Sequence, residues 1–339
     1  MNRHSFSMQN SIKCITYVCS KRSLKEFQLY MLAFAFFICS SCDLNQNGES
    51  QDVTVISWNA KELFDMKGLK KRLPNFRELI GDQKPDIILL QEFTSIEQVE
   101  ALAEALKLEN WSLSCSDFNM KDHNRFNSFE VAILSRFPLS NVTEYDPYPE
   151  RRKRKNYPFE KPLEVQDKSY EKIRTSRGFL VAEIEELKLM IGIVHLKSSI
   201  GKEGELDYRN AQKREFVTIA LTETLNTLSN NKTDDWHILI GGDFNVGHSD
   251  KVKNGKDLFD DVNDGYDDTH AILTEPLIGD IKFTNALAKF NTTTYPSYKG
   301  SPIDNLYVNE GTKFKSSEII KNAYGSDHYP VKVVLELQP

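Results

Sequence analysis

The 339-residue chain is long enough for one large domain or two small ones, and its 40% apolar and 27% charged content is that of a globular protein with a sizeable core, not of a disordered chain. No 20–50-residue repeat is evident, which argues against a solenoid or a propeller. Residues 1–42 carry five Lys/Arg and one acid, which leaves the rest with 38 basic and 48 acidic residues, a net of −10 that does not attract polyanions in bulk.

The N-terminal segment reads differently from the body. Lys21, Arg22 and Lys25 precede a short apolar run from Leu29 to Ile38, too short to span a bilayer comfortably but suited to a signal-peptide core. The run ends in Cys39-Ser40-Ser41-Cys42 and gives way to a polar stretch. This resembles a bacterial lipoprotein signal, with Cys42 as the lipidated first residue and a lipid-anchored place in the cell envelope. An ordinary cleaved signal leading to secretion, or a single N-terminal anchor, stays open. The expected organisation is a signal segment over 1–42, a polar linker over 43–52 and one domain over 53–338. Four of the five cysteines fall in the first segment; Cys115 alone remains in the body, so no disulfide framework forms within it.

Val53 to Trp58 is β-branched and apolar, a strand that runs into Asn59. Leu63 to Ile80 has helical spacing. Pro85 precedes a second buried strand, Asp86 to Leu90, which ends in Gln91-Glu92. Ser95 and Gln98 have the spacing of a capping box for a helix from Ile96 to Lys107. Trp111–Ser114 and Val131–Leu134 read as further strands. Residues 140–175 are polar and interrupted by four prolines, which predicts a long insertion loop containing the basic run Arg151 to Lys155. That run is either a solvated face or a basic edge that draws a phosphate-rich substrate past the acidic surface. Gly178–Glu185 and Leu187–Val194 read as two strands joined by a tight turn, the second ending in His195. A helix is expected from about Leu206 to Leu228. Residues 248–280 form an acidic loop that fails the spacing of a calcium-binding EF-hand. Pro302–Val308 and Val331–Leu337 are the last strands, with Asp327-His328 just before the second.

Ile238-Leu239-Ile240 reads as a buried strand, followed by Gly241 and Gly242, which permit close backbone approach, and then by Asp243 and Asn245. In extended backbone, residues two apart point to one side, so a carboxylate and a carboxamide are expected to emerge together. Alone, this is as consistent with a turn as with a site. Yet Asn59, Glu92, His195, Asp304, Asp327 and His328 also stand at strand ends, and strand ends that converge on one sheet edge are how layered α/β proteins build a site.

Ser57-Trp58-Asn59, Leu90-Gln91-Glu92, Arg177-Gly178-Phe179, Val194-His195-Leu196, Gly242-Asp243-Phe244-Asn245, Ile303-Asp304 and Ser326-Asp327-His328 resemble, in order and type, the DNase I-like endonuclease/exonuclease/phosphatase superfamily over nearly all of residues 53–337. The resemblance implies an α/β four-layer sandwich, two packed mixed β-sheets flanked by helices. It implies Glu92 and Asp327 as ligands of a catalytic Mg²⁺, with Mn²⁺ or Ca²⁺ as alternatives. Asn59, Arg177 and Arg209 would contact phosphate. Asp304 would orient His328, Asp243 would align or deprotonate the attacking water, Asn245 would steady developing charge, and His195 is a candidate acid for the leaving oxygen. Lys61 stands where abasic-site endonucleases carry an acid, and Ile303-Asp304-Asn305 stands where inositol polyphosphate 5-phosphatases carry Cys-Asp-Arg, so both branches are disfavoured. The expectation is an exported, monomeric, metal-dependent phosphodiesterase acting on nucleic acid, tied to a membrane by its lipid. A sphingomyelinase-like lipid phosphodiesterase and a non-catalytic surface-binding lipoprotein are the alternatives.

Overall fold

The computed structural model describes residues 50–118, 130–149, 158–167, 173–199, 209–250, 266–275, 279–297 and 300–338. Cys42, the basic run at 151–155 and most of the acidic loop lie outside the described residues. In chain order the first elements are β1 (Gln51–Asn59), α1 (Met66–Gln83), β2 (Ile87–Phe93), α2 (Ile96–Leu106), β3 (Ser112–Cys115) and β4 (Glu130–Ser135). Next come β5 (Ser140–Asp146), β6 (Phe159–Pro162), β7 (Phe179–Ile184), β8 (Leu189–His195), α3 (Arg209–Asn230) and β9 (His237–Asp243). The last are α4 (Ala271–Thr274), β10 (Phe283–Asn285), β11 (Asp304–Asn309), β12 (Lys313–Ile319) and β13 (Val331–Leu337).

The strands form two mixed sheets, one of six in the order β12-β13-β1-β2-β4-β3 and one of seven in the order β10-β11-β9-β8-β7-β5-β6. Strand periodicity sorts the side chains into layers. Val53, Val55, Ile87, Leu89, Leu189, Ile191, Ile193, Leu239, Leu306 and Val308 meet in one core between the sheets. Ile56, Trp58, Ile88 and Leu90 point the other way, onto Leu69, Phe76 and Leu79 of α1 and Val99 and Leu102 of α2. Met190, Val194, Ile238 and Ile240 likewise cover Val217, Ala220, Leu221 and Leu225 of α3. This is the expected four-layer sandwich. Strands covered on both faces explain the continuous apolar runs of β1, β2, β8 and β9.

Each sheet contains one helix-linked parallel pair: β1 and β2 joined through α1, and β8 and β9 joined through α3. The N-cap carboxylate of Asp65 accepts from Gly68 N at the start of α1, and Lys84 closes it in a left-handed conformation. Trp58 packs edge-on against Phe76 with ring centroids 4.9 Å apart, and its Nε1 donates to the carbonyl of His328. The outer core therefore fixes a segment that belongs to the site.

Three expectations are corrected. The stretch 140–175 is not all loop: β5 pairs antiparallel with β7, and β6 lies parallel to β5 at the sheet edge, where Pro162 costs no ladder bond. At α2, Ser95 makes no side-chain cap; Gln98 instead accepts from Thr94 N and donates to Leu63 O, stitching the helix to the β1–α1 turn. Last, β9 ends at Asp243, and Asn245 has φ 56°, so the two are not neighbours on extended backbone.

Candidate active site

The parity that puts Val53 and Val55 in the core between the sheets puts Asn59 on the same face at the C-terminal end of β1. By the same count His195 ends β8, and Asp243 ends β9, on the inner face of the second sheet. Asp304, at the start of antiparallel β11, stands opposite Asp243 in register. His195 is the register partner of Asp243 on its other side. His328 lies three residues before Val331, the partner of Ser57. The site therefore sits at the mouth of the gap between the sheets, at the carboxyl ends of both parallel pairs.

Backbone strain sharpens the first sheet's contribution. A bulge between Gln91 and Phe93 interrupts the β2–β4 ladder, and Glu92 takes φ 68°. Lys61 and Glu62 are also left-handed, at φ 57° and 40°. The Glu92 carboxylate accepts from Glu62 N through Oε2 and from Asn59 Nδ2 through Oε1, the latter at 3.0 Å. Asn59 Nδ2 also donates to Asp243 Oδ2 at 3.0 Å, so one carboxamide holds a carboxylate from each sheet. Asp243 Oδ1 accepts from Asn245 N at 2.8 Å, and Asn245 Nδ2 donates to the Leu196 carbonyl.

His328 Nδ1 lies 2.8 Å from Asp304 Oδ2, and its Nε2 lies 4.0 Å from Asp243 Oδ2. Thr294 Oγ1 accepts from the main-chain N–H groups of Ile303 and Asp304, which fixes the start of β11. Ser326 Oγ donates to the Asn59 carbonyl and accepts from His328 N, joining the last loop to β1. His195 Nε2 stands 3.7 Å from Glu92 Oε1 and 3.6 Å from Asp243 Oδ2. Arg177 is buried and spends Nη1 on the carbonyls of His195 and Leu196.

The charges follow from burial and neighbours. Burial, then the Asp304 carboxylate, pushes Asp243 up to about 7. For His328, burial favours the neutral ring, but Asp304 and Asp243 outweigh it and raise it to about 10, so it is an imidazolium at neutral pH. Burial, reinforced by Arg177, holds His195 well below its usual range, so it is neutral. Burial lowers Arg177 to about 10, which leaves it charged at neutral pH.

These groups line or back a cavity of about 440 Å³, with Lys61, Glu62, Glu92, Arg177, His195, Ser198, Ser199, Asp243, Asn245, Tyr295, Ile303, Asp327 and His328 on its wall. Asn59 and Asp304 stand behind that wall and position the groups that face it. Asp327 is on the wall in an ion pair with Lys61 Nζ at 3.0 Å. The side chain of Arg209 lies outside the described residues. Sequence reasoning gave no role in the site to Lys61 or Tyr295, whose ring centroid lies 4.9 Å from that of His328, nor to Ser326 and Thr294. All four lie in turns, where a hydroxyl or a lysine carries no periodic signal.

A divalent cation fits this donor set. Two carboxylates from different sheets converge on Asn59, and Asp304 Oδ1 is buried without a hydrogen-bond partner. The Glu92 side chain is 16% exposed, so its carboxylate reaches the cavity from the protein side. Such hard oxygen donors suit Mg²⁺, Mn²⁺ or Ca²⁺.

A model of the Endonuclease/Exonuclease/phosphatase family matches residues 56–328. No curated protein matches the chain. Among solved structures, the catalytic domain of human Nocturnin, with bound sulfate, aligns at 12% identity and TM-score 0.55 over 85% of this chain and 97% of that one. A 3′ phosphatase from Neisseria, NExo, bound to a product DNA hairpin, aligns at 17% identity and TM-score 0.52, over 84% and 99%. ANGEL2, described as a 2′,3′-cyclic phosphatase, in complex with adenosine-2′,3′-vanadate, aligns at 12% identity and TM-score 0.56, over 86% and 97%. At these identities the likeness concerns the fold.

Proposed function

The chain belongs to the endonuclease/exonuclease/phosphatase family, whose members are phosphoesterases, and from that premise we propose that it is a divalent-metal-dependent phosphodiesterase that hydrolyses nucleic-acid phosphate esters outside the cytoplasm. The observation that carries the reading is the pairing of an Asp304-bound His328 imidazolium with an Asp243 carboxyl near pKa 7 across one cavity. A base must be deprotonated and an acid protonated at the same pH, and these two environments supply that difference.

Asp243, aimed by Asn59 Nδ2 and Asn245 N, accepts the proton of the attacking water. The His328 Nε2–H, held by Asp304, donates to a phosphoryl oxygen, where charge builds in the transition state. Neutral His195, between Glu92 and Asp243, is placed to offer a hydrogen bond to the leaving oxygen, which takes its proton from solvent. Lys61 and Asn245 supply further donors at the cavity wall. A cation held by Glu92 with Asp243 beside it would offset the negative charge of the phosphate and of the departing alkoxide. The anionic substrate is thereby accommodated in an acidic body, and the lipoprotein-like segment ending at Cys42 supports action at the cell envelope.

The test is a substrate panel assayed with Mg²⁺, Mn²⁺ and Ca²⁺ against a chelated control: single-stranded and duplex DNA, RNA, 3′-phosphorylated oligonucleotides and sphingomyelin vesicles. Cleavage of a nucleic acid by the wild type, lost in both Glu92→Ala and His328→Ala, is the expected result. Phosphocholine release without nucleic-acid cleavage would move the substrate to lipid. Hydrolysis that persists unchanged in both variants would sink the assignment of the site.

A further inference from the structure

Three acids that catalysis does not use gather on β5 and β6. Glu144 and Asp146 are two residues apart on β5 and so share a face. Glu160 of β6 is the direct register partner of Glu144. One carboxylate oxygen from each of the three lies within 4.8 Å of the other two. Glu144 and Asp146 are 1% and 0% exposed, and Glu160 is half-buried. Glu144 Oε2 accepts from Asp117 N and Asp146 Oδ1 from Tyr148 N, each at 2.7 Å. Glu144 Oε1, in contrast, is buried with no hydrogen-bond partner. Glu130, on β4, is otherwise engaged: its carboxylate takes the Ser116 hydroxyl and Phe118 N.

Like charges directly across a ladder oppose strand pairing, and a buried carboxylate oxygen with no partner is costly. A bound cation removes both penalties at once. The donors are all carboxylate oxygens, which excludes the metals that prefer thiolate or imidazole. Ca²⁺, with its larger and more flexible oxygen shell, suits such a donor set, and Mg²⁺ is the alternative. We propose that Glu144, Asp146 and Glu160 form a second divalent-cation site, able to take Ca²⁺, that is separate from the catalytic cavity and pins edge strand β6 to β5. None of the three lines that cavity. Tyr145, between two of the ligands, stacks on Phe179 at 4.6 Å, two residues from Arg177.

The experiment uses the full chain in a Glu92→Ala background, which disables the catalytic site, and compares it with the same chain carrying Glu144→Gln and Glu160→Gln. Ca²⁺ is added to metal-free protein, with isothermal titration and the thermal midpoint as readouts. The parent should bind Ca²⁺ and gain several degrees. The double variant should bind it at least tenfold more weakly and gain little, while its metal-free midpoint is no lower than the parent's because a carboxylate repulsion has gone. Equal Ca²⁺ isotherms and equal midpoint shifts in the two proteins would overturn the proposal, as would a folded parent that binds no Ca²⁺ beyond what the variant binds. Should the double variant fail to fold, Glu160→Gln alone decides, since that residue sits half-buried on the edge strand.

Discussion

Asn59 is the residue on which the two halves of the site depend. Its Nδ2 serves Glu92 and Asp243 at 3.0 Å each, its Oδ1 accepts from Lys61 N at 3.0 Å, and it is 1% exposed. Asn59→Asp keeps the shape and the bond from Lys61 N but places an oxygen anion between two others. At an effective dielectric of about 20 and a separation near 4 Å, each like-charge pair costs about 4 kcal/mol, so the trio retains a proton at neutral pH. Asn59→Ala removes two bonds to charged acceptors, worth roughly 1.5–3 kcal/mol each. If most of that loss falls on the transition state, catalytic efficiency drops about 10²–10³-fold for Asn59→Ala. The deficit of the Asp variant relative to the wild type should be larger at pH 8 and shrink as the pH falls toward 5, because the retained proton restores a donor. The assay is hydrolysis of bis(p-nitrophenyl) phosphate from pH 5 to 9, with circular dichroism to confirm folding. An Asp variant as active as the wild type at pH 8, or an Ala variant within threefold of it, would refute the idea that Asn59 holds the two acids.

Elsewhere, Glu215 on α3 is pushed up to about 8 by burial and by Asp267. A carboxyl raised in the folded state contributes stability that is complete below its unfolded value near 4.5 and lost as the pH climbs through 8; Glu215→Gln should therefore flatten urea-unfolding stability by a few kcal/mol across that window. An unchanged slope would show that Glu215 is ionised in the fold. Gly242 has φ +145°, and a Cβ there would lie 1.9 Å from the Val194 carbonyl. Gly242→Ala should accordingly cost more than about 3 kcal/mol, whereas Gly311→Ala, at φ +91° in open space, costs about 1 kcal/mol; equal urea midpoints for the two would contradict this. In metal-free protein the imidazole of His328 should titrate near 10 by NMR. Asp304→Asn should bring it down toward the ordinary histidine range and slow turnover by about 100-fold or more. His328 titrating near 6.5 in the wild type would remove the imidazolium from the mechanism.

How far the sequence was legible follows from burial. β1, β2, β8 and β9 are covered on both faces, so they appear as apolar runs whose final polar residue stands out. Edge strands do not announce themselves in this way. β5 carries Asn141, Glu144 and Asp146 and is a strand because β7 pairs with it, and β12, Lys313–Ile319, is half polar and depends on β13. The acids and histidines of the site could be read because they end predictable strands. The turn residues that hold them could not, since Lys61, Glu62, Glu92 and Asn245 take positive φ, which no periodic pattern reports. Asn245 reaches the cavity as expected, but through a left-handed residue bonded to Asp243 and Leu196, not through strand alternation.

The Gly241-Gly242-Asp243 stretch shows how packing sets chemistry here. A Cβ on Gly241 would come within 2.5 Å of Leu89 Cδ1 on the facing sheet and 2.8 Å of Leu306 Cδ2. Its absence lets the two sheets close at their mouth. Gly242 points its missing side chain at β8, so the β8–β9 pair keeps its register up to His195 and Asp243. A one-residue slip there would turn Asp243 to the helix-covered face and bring the apolar Phe244 to the mouth. Asn59 can bridge Glu92 and Asp243 because the sheets approach closely and the register holds. Each depends on a position where no side chain larger than hydrogen fits, so the two glycines act as positioning residues for the acids that catalysis requires.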